Sequence, residues 1–303
     1  MSPTTKRPPA KGTITIDGQE LTVTNPEKLL WPEKNITKAM YLEKLAQLAP
    51  YLLKYCRDRY LTTIRFPHGW NDKSFYQKKR PGAYAPFREN GDAGGHSLRA
   101  SRLAADLAVA RQSRLSGVSP VLPPDRRKAA GGMADRHRSE LDPEPRIMEA
   151  AEVIGDILDK MNIRSIPKTS GATGVQIYVP IPAERGYTFE QLRRIGAFVA
   201  QYAVQKYPGL FTVERLKKDR GTKIYIDYLQ HWYGKTLSAP YTPRARRDAT
   251  VSTPLDWSEV RLRCDPREFH LLNIVERLQQ KGDLIAAVPP QSLDHVLSIL
   301  PPT

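Results

Sequence analysis

Residues Ile224–Gln230 read IYIDYLQ. β-Branched and aromatic residues at this density spell a strand, yet a carboxylate, Asp227, stands in its middle. An ionised carboxylate inside a sheet is costly unless something compensates it. The stretch therefore asks what Asp227 holds: a structural salt-bridge partner, or a hard divalent cation that takes oxygen ligands.

The flanking sequence says what kind of sheet this strand joins. Arg164–Ile181 contains a strand, the glycine-rich turn TSGATG and a second strand, VQIYVPI. Arg146–Met161 and Thr188–Tyr207 carry helical spacing, and Phe211–Glu214 reads as a further strand. Upstream, Thr13–Val23 alternates around a DG turn and predicts a hairpin. Thr37 is placed as the N-cap of a helix whose apolar positions are Met40, Leu45, Leu48, Leu52 and Leu53, and Arg59–Phe66 is strand-like. Downstream, LSAPYTPRARRDATVSTPLDW (237–257) reads as a loop, and Glu268–Lys281 as a terminal helix before a less regular tail. Strands and helices in this mixture predict an α+β fold rather than a regular βαβ array. Residues 1–12 read as a flexible basic tail and 13–303 as one domain.

The chain has 303 residues, 40% of them hydrophobic, enough for a sizeable core. A net charge of +15 points to a polyanionic partner, nucleic acid first. No run of 18 apolar residues predicts a membrane span, and the N-terminal segment lacks the apolar stretch of a signal peptide. The two cysteines, Cys56 and Cys264, have no metal-ligand spacing, which fits a reducing cytoplasm.

Several motifs carry possible chemistry, each beside a plainer reading. Glu140-Leu141-Asp142 puts two carboxylates on one face of an extended segment; with Asp227 they would suit one or two Mg²⁺ or Mn²⁺ ions, or they are a solvated turn. KTSGATGVQ (168–176) is an anion nest with Lys168, Ser170 and Thr173 as donors, or an ordinary turn. Arg220 and the RARR run at 244–247 are phosphate binders or solvated arginines. Phe75 and Tyr76, beside Lys78, Lys79 and Arg80, have the pattern that stacks bases, or one ring is core. Asn25, Lys28 and Lys38, around a helix start, make a phosphate pocket or a solvated surface.

The order of these motifs is more specific than any one of them. TNPEKLLWP, TKAMYLEKLA, IRFPHG, SFYQKKRPGAYAPF, LDPEP, PKTSGATGVQIYVP, KIYIDYLQ and APYTPRAR together resemble the polymerase domain of the bacterial end-joining DNA ligase D, within the archaeo-eukaryotic primase superfamily. The resemblance covers about residues 13–87 and 140–290. It implies mixed and antiparallel β-sheets carrying the active site, flanked by α-helices. It also implies template-directed nucleotide addition at DNA breaks, with Mn²⁺ (or Mg²⁺), NTP or dNTP substrates and a preference for ribonucleotides. Glu140, Asp142 and Asp227 fall on the family's metal carboxylates. Ser170, Gly171, Thr173, Gly174 and Gln176 fall on its nucleotide-phosphate segment. Arg220, Gln230, Arg244 and Arg246, with Phe75 and Tyr76, fall on nucleotide contacts. Asn25, Lys28 and Lys38 fall on the pocket for a DNA 5′-phosphate. Implied partners are gapped or 5′-phosphorylated DNA ends, a Ku-like end-binding protein and a DNA ligase, in the bacterial cytoplasm at the nucleoid.

Three departures stand against this pattern. Glu140 stands where Asp is expected and Thr173 where a lysine is common, while Gln176 stands where many members have His; the third departure is the segment 88–139. Arg88–Ser139 is stranger: 52 residues without Phe, Tyr, Trp or Ile, and with ten Lys or Arg against five Asp or Glu. Such a composition reads as irregular, or as a segment translated out of frame. Shifting the codons of Met133–Arg138 by one nucleotide permits Trp-Pro-Ile-Asp-Ile-Val, and the same shift across Ser116–Pro120 permits Leu-Glu-Phe-His. The frame would slip near residue 92 and recover near residue 139. If the departures cost activity, the chain is instead an impaired DNA-end-binding module that recognises 5′-phosphate.

Overall fold

The structure, a computed structural model, describes residues 10–16, 19–56, 60–66, 69–79, 115–121, 133–138, 144–230, 232 and 235–301. β1 (Lys11–Ile16) and β2 (Gln19–Thr24) pair antiparallel, with Ile16 opposite Gln19. This is the hairpin expected from the DG turn, begun two residues early. Residues 1–9 of the expected tail lie outside the described residues. β3 (Leu29–Trp31) and β4 (Ile36–Thr37) form a second, shorter hairpin, closed by a 3₁₀ turn at Pro32–Lys34 and by Asn35 in the left-handed region (φ 51°).

Thr37 then caps α1 (Lys38–Lys54), its hydroxyl accepting from Met40 N at 3.2 Å. The buried stripe runs through Tyr41, Leu42, Leu45, Leu48, Leu52 and Leu53. Met40, expected on that stripe, is 36% exposed, because it lies on the turn's outer side. Each fully buried leucine contributes roughly 1.5–3 kcal/mol.

β5 (Tyr60–Phe66) is the centre of a three-stranded antiparallel sheet, between β6 (Phe75–Lys79) and β7 (Leu115–Val121). The larger sheet begins with β8 (Met133–Arg138), followed by α2 (Ile147–Lys160), β9 (Ile166–Thr169) and β10 (Val175–Val179). α3 (Phe189–Lys206) opens with a reciprocal capping box between Thr188 and Gln191. β11 (Phe211–Thr212) and β12 (Ile224–Ile226) complete a five-stranded sheet in the order β11-β12-β8-β10-β9, antiparallel except for β11 with β12. Sheets of this kind flanked by helices are the mixed α+β class expected from the sequence.

The C-terminal part holds α4 (Trp257–Arg261), α5 (Ile274–Lys281), α6 (Leu284–Ala287) and α7 (Asp294–Ile299). The terminal helix is therefore shorter than the expected Glu268–Lys281, and the tail beyond it is more helical. Val175, Ile177, Val179, Ile224 and Ile226 face a core shared with α2 and α3. A second core gathers β2, β3, β4 and α1 with Tyr241, Val251 and Leu271.

Two expectations need correction. The segment 88–139 is not irregular throughout, since β7 and β8 are regular strands and β8 sits in the middle of the larger sheet; the helix expected at Ala104–Arg111 lies outside the described residues. The strand at IYIDYLQ ends at Ile226. Asp227 stands just past it and Tyr228–Gln230 form a 3₁₀ turn. No helix among the described residues is long and apolar enough to cross a membrane.

Candidate functional site

The larger sheet has one apolar and one polar face because its strands alternate. Val175, Ile177 and Val179 enter the core, so Gln176 points the other way, as does its register partner Lys168 on β9. On β12, Ile224 and Ile226 enter the core and Tyr225 faces the polar side, where its phenol reaches Asp227 just past the strand end. Gln176 pairs with Arg136, and Ile226 with His137. Continuing that register one residue past β12 would bring Asp227 level with Arg136, the position that Gln176 faces from the other side.

Asp227 is 9% exposed, and Tyr225 Oη donates to its Oδ1 at 3.3 Å. Burial and the adjacent carboxylate push the Tyr225 phenol up to about 12, so it remains a donor. The Arg220 guanidinium lies over the Tyr225 ring at 4.1 Å. Its Nε and Nη2 donate to the carbonyls of Glu214 (2.9 Å) and Arg215 (2.6 Å). Arg220, Tyr225 and Asp227 form one cluster. Gln176 is 1% exposed, and among the described residues neither its Oε1 nor its Nε2 has a hydrogen-bond partner. An amide buried in this way is costly unless something else completes it.

Beside this face lies the turn at 170–174. Ser170 N donates to Gly174 O at 2.8 Å, and Ser170 Oγ accepts from the backbone N–H groups of Ala172 and Gly174, each at 3.1 Å. Gly171 has φ +64°, and a Cβ there would stand 2.6 Å from Arg244 Cγ and 2.9 Å from Ser252 N. Only glycine fits both the angle and the space. The turn is backed by the segment expected as a loop at 237–257, and the structure buries much of it: Ser238, Thr242, Thr250, Ser252 and Thr253 are all under 9% exposed. Thr250 Oγ1 donates to Gly171 O (2.6 Å), Ser238 Oγ to Ser170 O (3.3 Å), and Arg244 Nη1 to Ser170 O (3.2 Å). Lys168, fully buried, directs Nζ to Ser252 Oγ and to the carbonyls of Ser238 and Thr169 at 3.2 Å each. The lysine expected as an anion donor in the nest is instead the bolt between β9 and this segment.

The same segment is anchored from behind. Tyr241, in the left-handed region at φ 64°, donates its phenol to Asp283 at 2.9 Å. Tyr55 donates to the same carboxylate, and burial plus that carboxylate hold both phenols far above the usual range.

A third cluster forms at the start of α1. Lys38 is 2% exposed, and its Nζ donates to Thr24 O at 2.6 Å. Its backbone N–H donates to Lys28 O (2.8 Å), and Lys28 N donates to Asn25 O (3.1 Å). Asn25, Lys28 and Lys38 are thus drawn together, with Asn25 in the left-handed region at φ 51°. Burial, and then the charge of Lys28, hold the Lys38 ammonium below the usual lysine range.

Of the other residues singled out, Phe75 is 42% exposed at the start of β6. Tyr76 is placed only by its backbone in β6, and Glu140 and Asp142 lie outside the described residues. Gln230 donates its amide to Thr236 O at 2.8 Å, closing its own loop. Thr173 is half-buried in the turn. Arg246 is exposed, and its carbonyl accepts from Trp31 Nε1 at 2.7 Å. Among the described residues no three His, Cys, Asp or Glu side chains converge as a metal cluster. The residues that sequence reading missed are Tyr225, Trp31 and the Ser/Thr residues behind the turn. The TVST run after RARRDA was their one local signal.

The sequence and the fold are shared with known proteins. The family model described as LigD, primase-polymerase domain, matches residues 37–285. The bifunctional non-homologous end joining protein LigD of Bacillus subtilis is 33% identical over 265 residues, 87% of this chain and 43% of that protein. The multifunctional LigD of Mycolicibacterium smegmatis is 29% identical over 88% of this chain and 36% of its own length. The chain therefore spans less than half the length of these curated relatives. The fold matches a structure of the polymerase domain from Mycobacterium tuberculosis ligase D in complex with DNA, with a TM-score of 0.71 and 22% identity, over 93% of this chain and 99% of that one. The chain belongs to the LigD primase-polymerase domain family.

Proposed function

We propose that this chain is a template-directed nucleotidyltransferase that extends primers and fills gaps at DNA double-strand-break ends, with ribonucleotides preferred, in end-joining repair. The observation that carries the reading is the polar face of the larger sheet. A buried carboxylate, Asp227, and a buried amide without a partner among the described residues, Gln176, stand on that face, beside a glycine turn held against Arg244. Buried polar groups left in that state are completed by a ligand.

A divalent cation, Mn²⁺ or Mg²⁺, fits what is visible of its site. The Asp227 carboxylate is buried and receives only a phenol hydrogen bond among the described residues, and such a group gains from a hard cation. Asp227, with Glu140 and Asp142, would hold it. When bound, the cation supplies charge stabilisation for phosphoryl transfer. The chain's own residues do the rest. Tyr225 keeps its proton and fixes the Asp227 carboxylate. The turn, Arg244 and Arg246 hold the triphosphate, with Gln176 beneath it, and Arg220 adds positive charge at the Tyr225 end. Phe75 and Tyr76 stack on the base. Asn25, Lys28 and Lys38 take the downstream 5′-phosphate; a phosphate there relieves the repulsion and burial that depress Lys38. DNA ends are the partner, with a Ku-like protein and a ligase activity completing repair.

The test is nucleotide addition to a gapped, 5′-phosphorylated duplex with Mn²⁺. Extension by the full chain is expected, and Asp227→Ala should lower it about 10³-fold, a loss of roughly 4 kcal/mol in the transition state, with DNA affinity unchanged. A chain that binds the duplex but adds nothing is an end-binding module instead. Equal affinity for phosphorylated and unphosphorylated ends would remove the pocket.

A further inference from the structure

The β3–β4 hairpin has two ends, and each touches a different part of the site. At its open end Lys38 N donates to Lys28 O at 2.8 Å, and this bond closes the Asn25–Lys28–Lys38 pocket. At its tip, Trp31 Nε1 donates to Arg246 O at 2.7 Å and Lys34 pairs with Asp248 at 3.4 Å. Only Leu29 and Leu30 separate Lys28 from Trp31. Trp31 is fully buried, with its ring 5.8 Å from that of Tyr41 on α1.

Beyond the tip the contacts continue without a gap. Arg246 N donates to Arg244 O (2.9 Å), Ala249 N donates to Arg246 O (2.9 Å), and Arg244 N donates to Thr250 O (2.8 Å). Arg244 Nη1 reaches Ser170 O, and its Cγ fills the space that a Cβ on Gly171 would need. The indole N–H is thus the direct bond from the hairpin to the backbone of the arginine loop. A shift of the hairpin carries Arg246 O with it, and through the tight 244–249 turn it moves Arg244 on the phosphate turn. Packed elements of this kind switch between discrete arrangements rather than deform continuously.

We propose that Trp31 is a positioning residue that couples the two ligands: an anion seated at Lys28 and Lys38 sets the hairpin, and Trp31 passes that setting to Arg244 and the triphosphate. The inference rests on the nucleotidyltransferase reading above and adds the order it imposes. Nucleotide binds tightly only at an end that already carries a downstream 5′-phosphate. The linkage is reciprocal, so nucleotide must tighten binding of the phosphorylated end by the same factor.

Trp31→Phe is a sparing probe, because Arg246 O keeps its bond from Ala249 N and no carbonyl is orphaned. The affinity of the full chain for a triphosphate with a methylene-bridged α,β link is measured on gapped duplexes ending in 5′-phosphate or 5′-hydroxyl. For the unaltered chain the phosphorylated gap is expected to tighten nucleotide binding on the order of fivefold or more. In Trp31→Phe that ratio should fall to about one, while each ligand alone binds within about twofold of normal, a split that general destabilisation would not produce. Lys34→Met, which removes the other tie at the tip, should lower the ratio partway. A ratio of one in the unaltered chain, or an undiminished ratio in both variants, overturns the coupling and leaves the function standing. If the unaltered chain binds nucleotide on neither duplex, both the function and the coupling fall.

Discussion

β10 and β8 are hydrogen-bonded neighbours, paired residue for residue from Val175 opposite His137 to Val179 opposite Met133. β10 reads VQIYV and β8 reads MADRHR. On β10 the core positions hold Val175, Ile177 and Val179, and the site-facing positions hold Gln176 and Tyr178. The register positions of β8 that match this core row belong to His137, Asp135 and Met133, and His137 also stands opposite Ile226. One strand alternates as its place requires; the other has, in its sequence, an acid and an imidazole at the register positions opposite Ile177 and Val175. The apolar alternation of the larger sheet is thus carried by β10 and β12, packed on α2 and α3, and the sequence of β8 does not repeat it. Reading the codons of Met133–Arg138 one nucleotide later resolves the mismatch. Position 133 becomes Trp, and positions 135 and 137 become Ile or Thr whichever synonymous codons are used. These are strand formers at all three register positions. The same frame permits Asp at 136, between Gln176 and Asp227.

The contrast can be broken at either strand. Ile177→Asp places on β10 what β8 already carries. It should abolish cooperative thermal unfolding, a cost above roughly 4 kcal/mol; a folded variant with normal stability would mean that this row is not core. The reverse change, Asp135→Ile with His137→Ile, should stabilise the chain by about 2 kcal/mol or more, read as a higher denaturation midpoint. A lower midpoint would place β8 elsewhere. Resequencing the codons for 92–139 is expected to return the shifted frame, and confirmed codons without those words would leave the mismatch native.

The smallest effect sets His137 against a second histidine. Burial, and then the charge of Lys34, hold His270 below the usual imidazole range, and its buried Nδ1 has no hydrogen-bond partner. The folded state therefore disfavours the imidazolium. Its contribution to stability is complete above the ordinary histidine value near 6.5 and is lost as pH falls through the depressed one. His270→Gln should flatten that part of the melting-temperature profile between about pH 7 and 5; an unchanged slope would assign the loss to other groups.

Local signals in the sequence were faithful where the cause was local. Thr37 caps α1, Thr188 and Gln191 box α3, and β1 pairs with its sequence neighbour β2, because each signal acts over a short span of chain. IYIDYLQ was legible as a strand but not its end at Ile226, since the chain beyond Ile226 is turned by the 3₁₀ geometry of Tyr228–Gln230 and by Gln230 bonding Thr236. The segment 237–257 read as a loop, which is right for its irregular backbone. Its burial was invisible, because Lys168, Thr169 and Asp283 bond to it from 42 or more residues away. Of the site, Ser170, Gly171, Gln176, Arg220, Arg244 and Asp227 were marked from the chain. Trp31 and Tyr225 were not, because an aromatic in a strand looks the same whether it fills space or holds another group.

The hydroxyl of Ser170 already occupies the two backbone N–H groups that an incoming phosphate would claim. On the proposed reading, binding at the turn would be an exchange, in which the hydroxyl rotates away as an anionic oxygen takes its seat. The gain is the difference between a charged and a neutral acceptor, about 1 kcal/mol per bond, rather than two bonds made from nothing. In return the hydroxyl holds the turn's backbone in place.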